Sequence, residues 1–123
     1  MKLQTLMIIK AVVCLALGVP ILLATGFTYS LFGASLNAGG IFAAREYGAS
    51  LIGNMLLTWF ARNATASEAR RAIILGLCVY DAIGFVITLI AQLSGTLGPL
   101  GWFAAVIYLF FTLAFGYFLL PGK

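Results

Sequence analysis

The sequence contains no histidine and only three acidic residues, Glu46, Glu68 and Asp81, among 123. Without histidine it lacks the commonest metal ligand, the usual general base and the usual axial ligand of a buried haem. Most metalloenzyme and cytochrome functions are thereby set aside. Its two cysteines, Cys14 and Cys78, lie in different apolar segments, with no CxxC pair of the kind that makes a redox motif or a zinc site. Both read as small buried hydrophobes. Charge is scarce as well: 8% of the residues carry one, against about a quarter in soluble domains. The net charge is +4, but no water-facing basic patch interleaved with aromatics accompanies it, so nucleic acid is not an expected partner. No cofactor is expected either.

What remains is apolar, at 63% of the chain. A soluble domain of this size buries roughly two-thirds of its unfolded surface and covers the rest with polar groups. Seven basic and three acidic side chains are too few for that. The expectation is an integral membrane protein with the lipid bilayer as its solvent.

A spanning helix needs about 20 mostly apolar residues. Four segments qualify, 11–32, 45–61, 72–93 and 101–120, and together they predict an all-α, up-down bundle of four transmembrane helices forming one domain over 1–123. The separators agree: 33–44 is glycine-rich and uncharged, 62–71 is the hydrophilic stretch RNATASEARR, and 94–100 is a short Gly/Pro turn. Lys10 interrupts the early apolar run, the run after it is long enough to span, and no A-x-A cleavage pattern follows. The first segment is therefore expected to be an uncleaved helix rather than a signal peptide.

Orientation follows from the basic residues. Lys2, Lys10, Arg62, Arg70, Arg71 and Lys123 fall on one side of this layout and Arg45 alone on the other, which puts both termini in the cytoplasm. Tyr29, Tyr47 and Trp102 then sit near the outer interface, and Trp59 and Tyr117 near the inner one. Small-residue pairs at Ala49/Gly53, Gly84/Thr88 and Gly101/Ala105 are expected to let helices approach closely, and Pro20 with Gly18 to kink the first helix.

Asp81 is the costly residue. It lies about 13 Å into its span at helical rise, where insertion scales charge an acid about 2.5–3.5 kcal/mol. It is expected to face the bundle interior and to have a partner there. If the second and third spans fold back symmetrically about 62–71, Asn54 lies within about 3 Å of it in depth, and an amide donating to the carboxylate would satisfy both. Arg45 is about 10 Å farther out, placed to approach Asp81, pair with Glu46 or snorkel to the interface. Lys10 is a further candidate if the first helix begins earlier. Cys78, Asp81, Gly84 and Thr88 share one helical stripe, either as a polar lining for a proton or solute or as a hydrogen-bonded seam between helices. The glycine-rich segment 33–44 is apolar for exposed backbone, and it should lie in the interface, dip between helices or be covered by another protein. The aromatic-rich last span reads as lipid contact and core, with a quinone or acyl-chain surface as the rival.

The runs Leu31-Phe32-Gly33, Arg45-Glu46-Tyr47-Gly48, Trp59-Phe60-Ala61-Arg62 and Arg70-Arg71, followed by two more apolar spans, resemble a broad group of small, uncharacterised bacterial four-helix integral membrane proteins. The resemblance covers nearly the whole chain and implies a fold and a multi-pass place in the bacterial cytoplasmic (inner) membrane, but no chemistry. Small multidrug-resistance transporters have similar length and helix number; their pattern has a glutamate in the first span, where this chain has no acid. Three functions follow as expectations. The first is a non-enzymatic accessory or assembly subunit of a larger membrane complex, partnered by other membrane subunits or by itself. The second is a small oligomeric transporter or channel in which Asp81 titrates and Asn54, Arg45 and Thr88 complete the polar site. The third is a lipid- or quinone-binding module.

Overall fold

The computed structural model describes residues 1–122, and Lys123, one of the basic residues counted above, lies outside the described residues. The fold is all-α, with five helices among the described residues and no strand: α1 (Leu3–Leu23), α2 (Thr25–Leu31), α3 (Ala38–Ala61), α4 (Glu68–Leu93) and α5 (Gly101–Tyr117). Two of them, α1 and α4, are long and apolar enough to cross a membrane. Helix α3 is as long, at 24 residues, but Arg45, Glu46 and Asn54 dilute its apolar content. Helix α5 is apolar but shorter, at 17 residues.

Five helices stand where four were expected because the first predicted span is two. Helix α1 begins at Leu3, eight residues before Ala11, and carries Lys10 inside it. The chain breaks at Ala24 (φ −136°, ψ 56°), four residues after Pro20, which lies inside α1. Proline removes one backbone donor, and two threonines after it compete for the carbonyls of the last turn. The Thr28 hydroxyl donates to the Pro20 carbonyl at 3.1 Å, and the Thr25 hydroxyl to that of Ile21. Ala24 N–H also reaches the Pro20 carbonyl, at 2.8 Å. The exposed carbonyls are thus satisfied locally before α2 begins at Thr25.

The other boundaries follow from caps. Asn37 accepts from Gly40 N–H at 2.7 Å and opens α3, so half of the segment predicted as the loop 33–44 is helix. Gly39 and Gly40 lie in its first turn. Ser67 accepts from Arg70 N–H at 3.1 Å and opens α4, four residues before the predicted 72, with Glu68 favourably placed in the first turn. Helices α2 and α4 end alike. Gly33 (φ 80°) and Gly95 (φ 78°) adopt the left-handed conformation, and Ala34 N–H to Tyr29 O and Thr96 N–H to Ala91 O, both 3.0 Å, close Schellman motifs.

The chain divides into two compact units, Met1–Arg62 and Asn63–Lys123. In the first, α1 packs antiparallel on α3, with α2 in the connection. The close approach is Gly18 against Gly48: a Cβ on Gly18 would stand 3.0 Å from Ile52 Cδ1, and one on Gly48 2.9 Å from Leu22 Cγ. The expected pair, Ala49 and Gly53, faces outward instead; both are exposed, and nothing lies within 4 Å of a Cβ at Gly53. Cys14, Ile21 and Leu51 form the core of this unit, with Tyr29 and Tyr47 packed against it.

The second unit is the α4–α5 hairpin. Gly84 lets the Tyr108 ring lie against the α4 backbone. Phe111 and Phe115 are buried and stack at 6.0 Å, while Phe103, Phe110 and Tyr117 are exposed. The Arg71 guanidinium donates to the Leu119 carbonyl at 3.2 Å, and the Gln92 amide to the Gly98 carbonyl at 3.0 Å. The first bond lies at the open end of the hairpin and the second in the α4–α5 connection.

Candidate functional site

Asp81 sits at the middle of α4, a helix fixed by its serine cap at one end and its glycine motif at the other. Its side chain is fully buried, at 0% exposure. The flanking turns define the surface it belongs to. One turn before it, the Cys78 thiol donates to the Thr112 carbonyl of α5 at 3.5 Å. One turn after it, Gly84 meets Tyr108. Ile74 and Leu77, also buried, continue the same inward arc toward the start of the helix. A carboxylate in such a place costs far more than one in water unless polar or charged neighbours compensate it.

Thr88, two turns beyond Asp81, is half-buried on the same stripe. The separation of seven residues is about 10 Å along the helix, so one small solute would not touch both. On α5, Tyr108 and Thr112 are half-buried. The Thr112 hydroxyl donates back to the Tyr108 carbonyl at 2.8 Å within its own helix.

The two other predicted site residues belong to the first unit. Arg45 is exposed on α3, and so is its neighbour Glu46. Asn54 is half-buried one turn before Thr58, and its backbone carbonyl accepts from the Thr58 hydroxyl at 2.8 Å. Arg45 and Asn54 are nine residues apart on one helix, about 13 Å along it. The structure thus places the four residues in two pairs, Arg45 with Asn54 on α3 and Asp81 with Thr88 on α4.

Lys10 was read as a flank of the first span, and its place is different. It lies in the third turn of α1 and is 3% exposed, among the most buried polar residues of the chain. The signal that locates it is the apolar run Leu-Met-Ile-Ile immediately before it, which continues the helix through the charge. Among the described residues the buried basic side chain, Lys10, thus lies in the first unit and the buried acidic one, Asp81, in the second.

At the other end of α3, the Arg62 guanidinium stacks on the Trp59 ring 3.9 Å from its centre and donates to the Trp59 carbonyl at 2.6 Å. An aromatic body with a cationic head is what interfacial anchors present to a lipid surface. Among the described residues no three His, Cys, Asp or Glu side chains gather where they could hold a metal ion. No protein-family model, curated protein or solved structure matches the chain.

Proposed function

We propose that the chain is a four-span protein of the bacterial cytoplasmic membrane, with both termini and the 62–67 linker on the cytoplasmic side. Its outward side chains support this. On α4, Leu75, Val79, Ile83, Val86, Ile90 and Leu93 are all exposed, an apolar stripe running most of the helix. Such a surface in water is an aggregation liability, and in hydrocarbon it is solvated. Moving Lys10 into α1 leaves the charge bias intact: of the seven basic residues, Lys2, Arg62, Arg70, Arg71 and Lys123 flank the inner side and Arg45 the outer one.

Within that membrane the chain serves without catalysis, as an accessory or assembly subunit of a larger complex. The observation that carries this reading is the outward face of α3, where Gly39, Ala43, Ala49, Ser50 and Gly53 are exposed. Small residues on a lipid-facing helix serve close contact with another helix, and these are not used for contact with α1. The test is affinity purification from native membranes, with identification of every co-purifying chain at its stoichiometry. A monodisperse, single-copy particle without partners would end the proposal.

A second reading is a small oligomeric transporter or channel in which Asp81 titrates. Its support is that two ionisable groups, Lys10 and Asp81, lie buried inside helices, and intramembrane ionisable residues commonly mark ion or proton pathways. Under this reading Asp81→Asn abolishes pH-dependent flux in proteoliposomes while helix content stays constant. Unchanged flux refutes it.

A further inference from the structure

At the end of α3 the chain passes from apolar to hydrophilic within a few residues. Leu56, Leu57, Trp59 and Phe60 are exposed apolar side chains, and Arg62-Asn63-Ala64-Thr65 follows at once. The 24 residues of α3 rise about 36 Å, against about 30 Å of hydrocarbon. Under the membrane placement proposed above, the last turn of α3 therefore reaches the inner headgroups.

The Arg62 guanidinium is fixed at that turn from two sides. Its Cζ stands 3.9 Å from the centre of the Trp59 ring, so the indole covers one flat face. Its Nη1 donates to the Trp59 carbonyl at 2.6 Å, which sets the rotation of the group. A guanidinium carries five N–H donors in a planar fork, and stacking on an aromatic ring engages its face and leaves its edge. The edge formed by Nε and Nη2 remains as a pair of donors. Among the described residues no other hydrogen bond or ion pair engages the side chain of Arg62 or of Trp59. The indole N–H is a further donor, and no acid lies nearer along the chain than Glu68 on one side and Glu46 on the other. Fixed donors at headgroup depth call for an anion.

We propose that the Trp59–Arg62 turn binds the phosphate of a net-anionic phospholipid in the inner leaflet. Phosphate oxygens accept two parallel bonds from a guanidinium edge, a geometry that a lysine ammonium does not offer. A headgroup with an amine of its own neutralises its phosphate internally, whereas one without an amine leaves the full charge to Arg62. The selection is thus for a lipid of net negative charge. The carbonyl end of a helix disfavours an anion, and the guanidinium offsets this by covering a carbonyl of the last turn, that of Trp59. Both side chains belong to one turn at the end of α3, so the site is complete within the first unit. The inference rests on the membrane placement and adds to it a specific ligand class.

The test reconstitutes the full chain in phosphatidylcholine vesicles, with Trp102→Phe so that Trp59 is the one indole left. Phosphatidylglycerol or phosphatidylcholine brominated near the headgroup is added at equal low mole fraction, and quenching of Trp59 fluorescence reports which lipid stands beside it. The brominated phosphatidylglycerol should be preferred about fivefold. Arg62→Gln should remove the preference. Lys2→Gln, which deletes one charge on the same side of the membrane, should leave it. Equal quenching by the two lipids, or a preference that survives Arg62→Gln, overturns the proposal. A preference lost equally in Lys2→Gln overturns it as well, because diffuse charge attraction then suffices. Trp59 left unquenched by either lipid, in a chain that floats with the vesicles, also overturns it, since protein then covers the turn. A chain that does not float with the vesicles overturns the membrane placement first, and the headgroup site with it.

Discussion

Gly84 offers the sharpest quantitative test of the α4–α5 hairpin. A Cβ placed there would collide with Tyr108 Cε1 and stand 2.7 Å from Cδ1 and 2.8 Å from Cζ. Those atoms belong to a rigid ring, so relief requires the ring or the helix to move. Overpacking of this kind costs about 1–3 kcal/mol. Alanine in a helix interior also regains about 1 kcal/mol of propensity over glycine, so the net loss for Gly84→Ala is about 0–2 kcal/mol. Gly76 supplies the control, because it lies on the same helix with nothing within 4 Å of its would-be Cβ. Gly76→Ala should show the propensity gain alone, about 1 kcal/mol. The difference between the two variants, about 1–3 kcal/mol, isolates the contact with Tyr108. Reversible unfolding in mixed micelles, followed by circular dichroism, measures both. Combining Gly84→Ala with Tyr108→Ala should cost less than the sum of the single changes. Equal stabilities for the two glycine variants, or strict additivity in the cycle, would refute the close approach.

Other residues give independent checks in the same assay. Asn37→Ala and Ser67→Ala each remove the acceptor at a helix start and should cost about 1 kcal/mol, with earlier amide exchange confined to the first turns of α3 and α4. Thr28→Val removes the hydroxyl on the Pro20 carbonyl and should cost about 1 kcal/mol, whereas Thr5→Val, at an exposed position of α1, should be close to neutral. Asp81→Leu deprives the neighbours of a fully buried carboxylate of their partner and should cost about 1–3 kcal/mol for each group left unsatisfied; a variant as stable as the parent would remove Asp81 from any structural role.

The boundaries readable from sequence were those set by glycine and proline. SGTLGPL marks the end of α4 at Leu93 and the start of α5 at Gly101, because Gly95 supplies the left-handed turn and Pro99 cannot extend a helix. Boundaries drawn at charges were misplaced. Lys10 and the Glu-Ala-Arg-Arg run look like flanks in sequence, yet a long basic side chain is tolerated within a helix, and Glu68 belongs in a first turn behind a serine cap. The burial of Asp81 was legible because an acid in an apolar helix has few tolerable positions. That of Lys10 was hidden by the assumption that a lysine ends a span. Small-residue spacing did not distinguish the packed face from the exposed one: Gly48 and Gly53 look alike in sequence, and only the packing of Leu22 and Ile21 on Gly48 separates them. The break after Pro20 depends on two threonine hydroxyls reaching back to carbonyls, a competition that periodicity does not register.

The account depends most on both hairpins crossing the same bilayer with the linker on the inner side. Single cysteines at Ser35, Ala64 and Thr96, introduced into a cysteine-free chain and probed on intact cells with a membrane-impermeant maleimide, test this directly. The expected result is labelling of positions 35 and 96 from outside, and of position 64 only after permeabilisation. Labelling of position 64 on intact cells, or protection of 35 and 96 until the membrane is opened, would contradict it.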